Sequence, residues 1–490
     1  MGFDMNSVLD CLIVGAGFGG IGMAITLLKS GIKDIVLLEK SPSAGGCWLQ
    51  NRYPGAACDV PSHLYSYSFE PHADWSRKFA PQAEIQAYIE RCAQRYGVFS
   101  LCRFGRCVAA AVYDETHCLW EVRTVDGELF KARTLVAGTG QLSKPAYPAI
   151  AGRETFAGQQ FHSADWPAGL SLQGKRVGVI GSGASAIQFI PELAKTVAEL
   201  VIFQRSAPYI LDKPDRAYSQ QEKSRFKARP LLLKLSRILQ YWQHEARFFA
   251  FDGYPLITAL YTRKCLAKLA REVKDPVIRA KLTPDYPLGC KRILISNNFY
   301  PVFNLSNVHL ETDEIGNMNA DGIVLTDGRH IPLDVVVYGT GFRSTEFVAP
   351  MEVKGLQGKT LQSVWKEGAE AYLGISVSGF PNFFMLYGPN TNLGHNSILA
   401  MLENQFFFID RCIVRVLKEG TASLDVLPSA QFVFNVKLQR HLHKTVWGGG
   451  CHSWYKTDSG KITNNWYGFV TTYRYLTHYP DFSSYQEVKK

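Results

Sequence analysis

Twice in its 490 residues the chain leaves a short apolar strand through a small-residue turn, enters a helix and emerges on a second apolar strand. The first pass reads Cys11-Leu-Ile-Val14, Gly15-Ala-Gly-Phe-Gly-Gly20, a helical stretch to Ser30, and Ile35-Val-Leu-Leu38. The second reads Arg176-Val-Gly-Val-Ile180, Gly181-Ser-Gly-Ala-Ser-Ala186, a helix to about Val197, and Leu200-Val-Ile-Phe203. A Gly-x-Gly-x-x-Gly pattern alone says little, but its position between such a strand and a helix makes it a dinucleotide fingerprint. The first glycine of the pattern (Gly15) allows the tight turn and the second (Gly17) lets the backbone approach a pyrophosphate. The third (Gly20) lets helix and strand pack closely, and the helix N-terminus adds partial positive charge. Phe18 and Gly19 complete the first turn; Gly181, Ser182, Gly183, Ser185 and Ala186 form the second. Two such units, about 165 residues apart, predict an α/β chain with two Rossmann-like dinucleotide-binding domains, each on its own doubly wound sheet.

The ends of the second strands separate the ligands. Glu39 lies nineteen residues beyond Gly20 and is followed by Lys40. A carboxylate there accepts from both ribose hydroxyls and repels a 2′-phosphate, so the first site suits FAD or NAD. After Phe203 the chain reads Gln204-Arg205-Ser206, with no acid. Arg205 can grip a 2′-phosphate through two parallel hydrogen bonds, which points the second site to NADPH. Val136-Ala-Gly-Thr-Gly140 and Val337-Tyr-Gly-Thr-Gly-Phe342 each finish an apolar strand on small residues, as a close passage beside a flavin or between domains requires.

From this we expect residues 1–150 to form the first part of the FAD domain and 151–343 the NADPH domain. Residues 344–490 then return to the FAD domain. Pro145, Pro148 and Gly152 mark the linker. Residues 215–284 read as a helical insertion in the NADPH domain, where Leu231, Leu232, Leu235, Ile238, Leu239 and Trp242 share one helical face. Such a stripe is expected to pack onto the nucleotide domain; association with a membrane surface is the alternative. The net charge of +10 is concentrated there, with eleven Lys or Arg and two acids, Glu245 and Asp252, between Lys223 and Arg271. No helix-turn-helix or zinc-ligand pattern accompanies it, so neither a nucleic-acid partner nor a metal is expected. The N-terminus has no secretory pattern, and no stretch nears the ~20 apolar residues of a membrane span. The eleven scattered cysteines therefore read as reduced thiols of a cytoplasmic protein.

Two further patterns carry a resemblance. Phe156-Ala-Gly158-Gln-Gln-Phe-His162-Ser-Ala-Asp-Trp166-Pro167 is similar to the fingerprint of the Baeyer–Villiger monooxygenase family. Gly45-Gly46-Cys47-Trp48 through Tyr53-Pro54-Gly55 to Asp59 resembles a second pattern of that family. The likeness runs from about residue 8 to residue 470. It implies FAD and NADPH as cofactors and a small ketone, aldehyde or thioether together with O₂ as substrates. Pro287-Leu-Gly-Cys-Lys291-Arg292 matches the family's Lys-Arg pair, implying a catalytic role for Arg292 and an NADPH contact for Lys291. By the same likeness Asp59 is the partner of Arg292, and Gly46, Cys47, Trp48, Asp59 and Tyr65 are flavin contacts. Trp454, in Ser453-Trp454-Tyr455, meets the nicotinamide nucleotide. Gly388-Pro-Asn390 and Gly394-His-Asn396 resemble the returning flavin segment. Cys47 departs from the threonine of many members, which weakens one hydrogen bond to the flavin.

The implied chemistry explains the residue types. An anionic flavin peroxide at C4a attacks a carbonyl and leaves a tetrahedral oxyanion. A fixed cation beside both species supplies preorganised stabilisation, and arginine does not surrender its proton. Asp59 would orient that guanidinium. His162 is expected to pack between domains rather than exchange protons. Cys47 and Cys58 are too far apart in sequence for a CxxC-type redox pair. Alternatives are a heteroatom oxygenase, against which Trp166-Pro167 argues, and an NADPH oxidase releasing hydrogen peroxide.

Overall fold

The computed structural model describes residues 7–450, 453–457 and 459–489. Two sheets organise it. The first is eight-stranded and runs, edge to edge, Glu352–Lys354, Val108–Asp114, Leu119–Thr124, Leu129–Ala137, Val8–Val14, Ile35–Glu39 and Cys102–Phe104. Its longest strand forks. The first half of Leu129–Ala137 pairs antiparallel with Leu119–Thr124, and its last residues pair in parallel with Phe383–Met385. The second sheet has five strands, all parallel, in the order Val308–Glu311, Glu199–Phe203, Arg176–Ile180, Val335–Tyr338 and Gln159–His162.

Period-two alternation buries both faces of the second sheet, as parallel sheets demand. Val177, Val179, Leu200, Ile202, Val335 and Val337 fill one side, and Ile180, Val201, Phe203, Val336 and Tyr338 the other. On the first sheet, the helix Phe18–Lys29 is covered by the helix Ile398–Lys418 of the returning chain, and a Cβ at Gly22 would lie 2.4 Å from the Phe406 ring. Strands from both ends of the sequence thus share one core, while residues 159–338 supply the other.

The insertion between them consists of the helices Gln220–Ala228, Pro230–Glu245, Pro255–Glu272 and Pro276–Lys281. Its base is closed by the parallel pair Ile210–Leu211 and Leu294–Ile295. The apolar stripe corrects an expectation here. Leu233, Gln240, His244 and Glu245 are the buried residues of Pro230–Glu245, whereas Leu231, Leu235, Ile238, Leu239 and Trp242 face outward and Leu232 is half-buried. Polar anchors on the opposite side, rather than the leucines, fix how this helix docks.

A second correction concerns the cysteines. Nine of the described ones are free thiols, but Cys290 is disulfide-bonded. Even scatter along a chain does not report which thiols the fold brings together. Among the described residues no helix is long and apolar enough to cross a membrane.

Candidate active site

The two fingerprint turns are built alike. Gly15 has φ +101° and Gly181 φ +104°, a region that side chains rarely adopt. A Cβ on Gly15 would stand 2.5 Å from the carbonyl oxygen of Gly138, and one on Gly181 would stand 2.6 Å from that of Gly339. The small-residue strand ends noted in the sequence are therefore what crosses each turn. Their amides are bound by the first strands: Gly138 N donates to Val14 O (2.8 Å) and Gly339 N to Ile180 O (2.9 Å).

Beyond the turns the units diverge. A Cβ on Gly20 would come within 1.8 Å of Gly15 O, so that helix has no room for alanine; the equivalent residue of the second unit is Ala186. The helices Phe18–Lys29 and Ala186–Leu193 both start with no side-chain cap and no acid in the first turn, leaving amides free for a phosphate.

A cavity of about 380 Å³ opens at the first turn. Gly15, Gly17, Phe18, Gly19, Glu39, Lys40, Gly46, Cys47, Trp48, Asp59 and Tyr65 line it, and so do Ser185 and Arg292. Glu39 is buried; its Oε2 accepts from Ala16 N and its Oε1 from Ser41 N, both at 2.8 Å. Each carboxylate oxygen keeps lone-pair capacity for a ribose hydroxyl. Trp48 Nε1 donates to Tyr65 Oη (3.0 Å), which sets one wall. Asn51 Oδ1 and Gln141 Oε1 also belong to lining residues and are buried with no partner. A bound flavin nucleotide, rich in donors and acceptors, fits this lining, because buried polar atoms rarely stay unsatisfied.

Arg292 and Asp59 meet across 233 residues of chain, with Nη2 3.4 Å from Oδ2. Arg292 comes two residues before the strand Leu294–Ile295. Asp59 sits on a loop bound to the next segment by Cys58 N donating to Ala80 O (3.0 Å) and Gln82 N to Ala56 O (2.9 Å). The Arg292 side chain is half-buried, 39% exposed, and the residue lines the cavity. Burial works against its charge, but the Asp59 carboxylate leads the interactions that outweigh it and hold its pKa above the ordinary arginine value. Burial pushes Tyr455 up to about 12 and raises Tyr387 as well, so both face Arg292 as neutral phenols.

Gln188 is a residue the sequence reading passed over. It lies on the second fingerprint helix; its Oε1 accepts from Tyr53 Oη (3.0 Å) and Ala57 N (3.3 Å), while its Nε2 donates to Ala57 O (3.0 Å) and reaches Asp59 Oδ1 at 3.5 Å. The NADPH-side helix is thereby tied to the loop that carries Asp59. Its position seven residues after Gly181 was the only available signal. Trp166 supports the same junction, since Phe189 touches both its ring (5.4 Å) and that of Tyr53 (5.7 Å).

Gly181, Ser182, Gly183 and Ala186 form the second turn and the start of its helix, Arg205 and Ser206 follow its second strand, and none of them nor Lys291 lines the cavity. Lys291 Nζ donates to Ser206 Oγ at 2.8 Å. Its pKa is lowered by burial first and then by Arg205, so these two cations are neighbours. Arg205 is exposed. The Trp454 ring lies tilted against that of Tyr455 (centroids 4.6 Å apart), and its carbonyl accepts from Ser344 Oγ (3.1 Å). His162 is fully buried between Tyr147 and Phe342, both 5.5 Å away, and burial lowers its pKa. Burial pushes Cys47 up to about 11 and Cys58 up to about 12, so neither offers a thiolate near neutral pH.

Two fingerprint units, with Arg292 lining the cavity that opens at the first of them, give the architecture of a dinucleotide-dependent oxidoreductase. Residues 12–229 match a family model described as pyridine nucleotide-disulphide oxidoreductase. A Baeyer–Villiger monooxygenase of Pseudomonas aeruginosa is 42% identical over 475 residues, covering 96% of this chain and 90% of that protein. The solved structure of an oxidized steroid monooxygenase bound to NADP superposes with a TM-score of 0.89 at 30% identity, covering 99% of this chain and all of that one. The OTEMO complex with FAD and NADP gives 0.88 at 28% identity, covering 98% and 99%. The chain belongs to the Baeyer–Villiger monooxygenase family.

Proposed function

We propose that FAD occupies the crevice of Gly15 and Glu39, NADPH that of Gly181 and Arg205, and that the chain converts ketones or aldehydes to esters or lactones. Residues 1–150 and 344–490 are then the FAD domain and 151–343 the NADPH domain. When bound, the two cofactors would supply the hydride and the reducing equivalents with which one atom of O₂ enters the substrate and the other leaves as water. The chain supplies position and charge. Glu39 takes the flavin-side ribose, and the uncapped helix ends take the pyrophosphates. Arg205, Ser206 and Lys291 hold the 2′-phosphate, and Trp454 covers the nicotinamide nucleotide. Arg292 holds its proton and stabilises the negative charge that develops where oxygen meets the carbonyl. Asp59, steadied by Gln188, aims the guanidinium. The carrying observation is Arg292 itself, a half-buried cation paired with Asp59 that lines the cavity.

Cyclic, linear and aryl ketones, with thioethers alongside, test the reading under labelled O₂, with product mass measured against NADPH consumed. Ester or lactone carrying one labelled oxygen per NADPH is the expected result. Hydrogen peroxide alone would overturn it, and sulfoxide alone would replace it with heteroatom oxygenation. The nine free thiols among the described residues favour a cytoplasmic setting and the disulfide-bonded Cys290 counts against it, which cell fractionation decides.

A further inference from the structure

The helix Pro230–Glu245 shows two opposite faces. Inward, Arg237 Nη1 donates to the carbonyls of Ser66 (2.7 Å), His63 (3.0 Å) and Leu64 (3.2 Å). Eight residues on, the buried carboxylate of Glu245 accepts from Thr471 N (2.9 Å), Val470 N (3.2 Å) and Asn396 Nδ2 (2.9 Å). Asn396 lines the flavin cavity. Breaking these bonds would strand a buried carboxylate, so the helix cannot roll to hide its other side. That other side carries Leu231, Leu235, Ile238, Leu239 and Trp242, exposed by 75, 53, 41, 63 and 57%. At the end of the helix the rings of Phe249 and Tyr254, both exposed, meet at 5.7 Å, and Leu256 follows at 87% exposure.

Scattered exposed leucines need no explanation; a continuous stripe does. The charge around it indicates what covers it. Arg225, Arg229, Lys234, Arg263 and Lys264 are exposed and take part in none of the ion pairs found among the described residues, whereas Glu245 is consumed internally. A second copy docking on this face would bring the same cations together. An apolar stripe edged by free cations suits the interface of an anionic bilayer. We propose that this helix seats the protein on anionic membrane surfaces, with its leucines and Trp242 among the acyl chains and Arg229 and Lys234 at the headgroups. The seated helix is one hydrogen bond, Glu245 to Asn396, from the cavity wall, so apolar substrates dissolved in lipid reach the protein beside its site.

Flotation of the full-length holoprotein with phosphatidylcholine vesicles, with and without phosphatidylglycerol, tests this. Binding to the anionic vesicles at low salt is expected, weakening as salt rises. Leu235→Glu/Leu239→Glu and Arg229→Glu/Lys234→Glu should each lower the bound fraction at least about ten-fold. FAD content and turnover of a water-soluble ketone should stay at the wild-type level in both. Brominated lipid should quench wild-type fluorescence more than that of Trp242→Phe. No flotation at low salt would overturn the proposal, as would flotation that both double variants retain. A concentration-dependent dimer that Leu235→Glu/Leu239→Glu abolishes, without vesicle binding, would assign the face to a second copy instead.

Discussion

The two fingerprint units share a turn and part company at both ends. In the first, the strand Ile35–Glu39 finishes on a buried carboxylate whose oxygens are held by two backbone amides. In the second, the strand Glu199–Phe203 leads into exposed Arg205, with Lys291 brought to Ser206 from 85 residues away. The helix–strand contact differs too, with no space for a Cβ at Gly20 and a methyl already present at Ala186. On the proposed reading, one turn geometry serves both pyrophosphates, while strand-end charge decides which dinucleotide follows. Close packing is demanded only at the first.

That contrast can be broken at its packing end first. Gly20→Ala should cost about 3 kcal/mol or more, because the intruding methyl meets a backbone carbonyl that cannot move without the turn. Ala186→Gly should cost about 0.5–1 kcal/mol, the usual penalty of glycine in a helix. Thermal melts and flavin content of the purified proteins compare them. Equal losses would mean that the two units pack alike.

The charge contrast comes next in size. Arg205→Ala should raise the KM for NADPH by about 10–100-fold, the worth of one or two charge-assisted hydrogen bonds, and leave flavin content unchanged. The KM for NADH should hardly move. If both nucleotides weaken together, Arg205 is not reading the 2′-phosphate.

A smaller, pH-dependent effect sharpens the same point. The Lys291 pKa is lowered, chiefly by burial and then by Arg205. Its protonated form binds phosphate, so NADPH affinity should be full at low pH and fall as pH rises through that depressed value. The alkaline limb of kcat/KM for NADPH should therefore lie below ordinary lysine titration. In Arg205→Ala, which removes one depressing charge, the limb should move to higher pH. A limb unmoved by Arg205→Ala would remove Lys291 from the phosphate site.

What could be read from sequence follows from how local each constraint is. The fingerprint turns need glycine within a few residues of a strand, so they print themselves on consecutive positions. Glu39 and Arg205 stand at fixed distances from those turns, so their places at and after the strand ends were legible for the same reason. Arg292 and Asp59 lie 233 residues apart, and only family likeness paired them. Gln188 escaped because a glutamine inside a helix has no signature until the loop it binds is in place. The stripe on Pro230–Glu245 was seen but turned the wrong way. Periodicity gives a face, whereas Arg237 and Glu245 decide which face is inward. That Cys290 is disulfide-bonded leaves no trace in the residues beside it in sequence.

The central claim is that Arg292 acts on charge that appears late in the reaction. The direct measurement is oxygenated product formed per NADPH consumed in Arg292→Ala, with Arg292→Lys beside it. The alanine variant should still hold FAD and still oxidise NADPH, but ester should fall by at least ~100-fold, the scale of losing one preorganised oxyanion donor, with hydrogen peroxide in its place. Lysine should recover little, since a flexible point charge does not reproduce the planar fork facing Asp59. Ester at near wild-type yield from the alanine variant would contradict the account and leave Arg292 a structural residue.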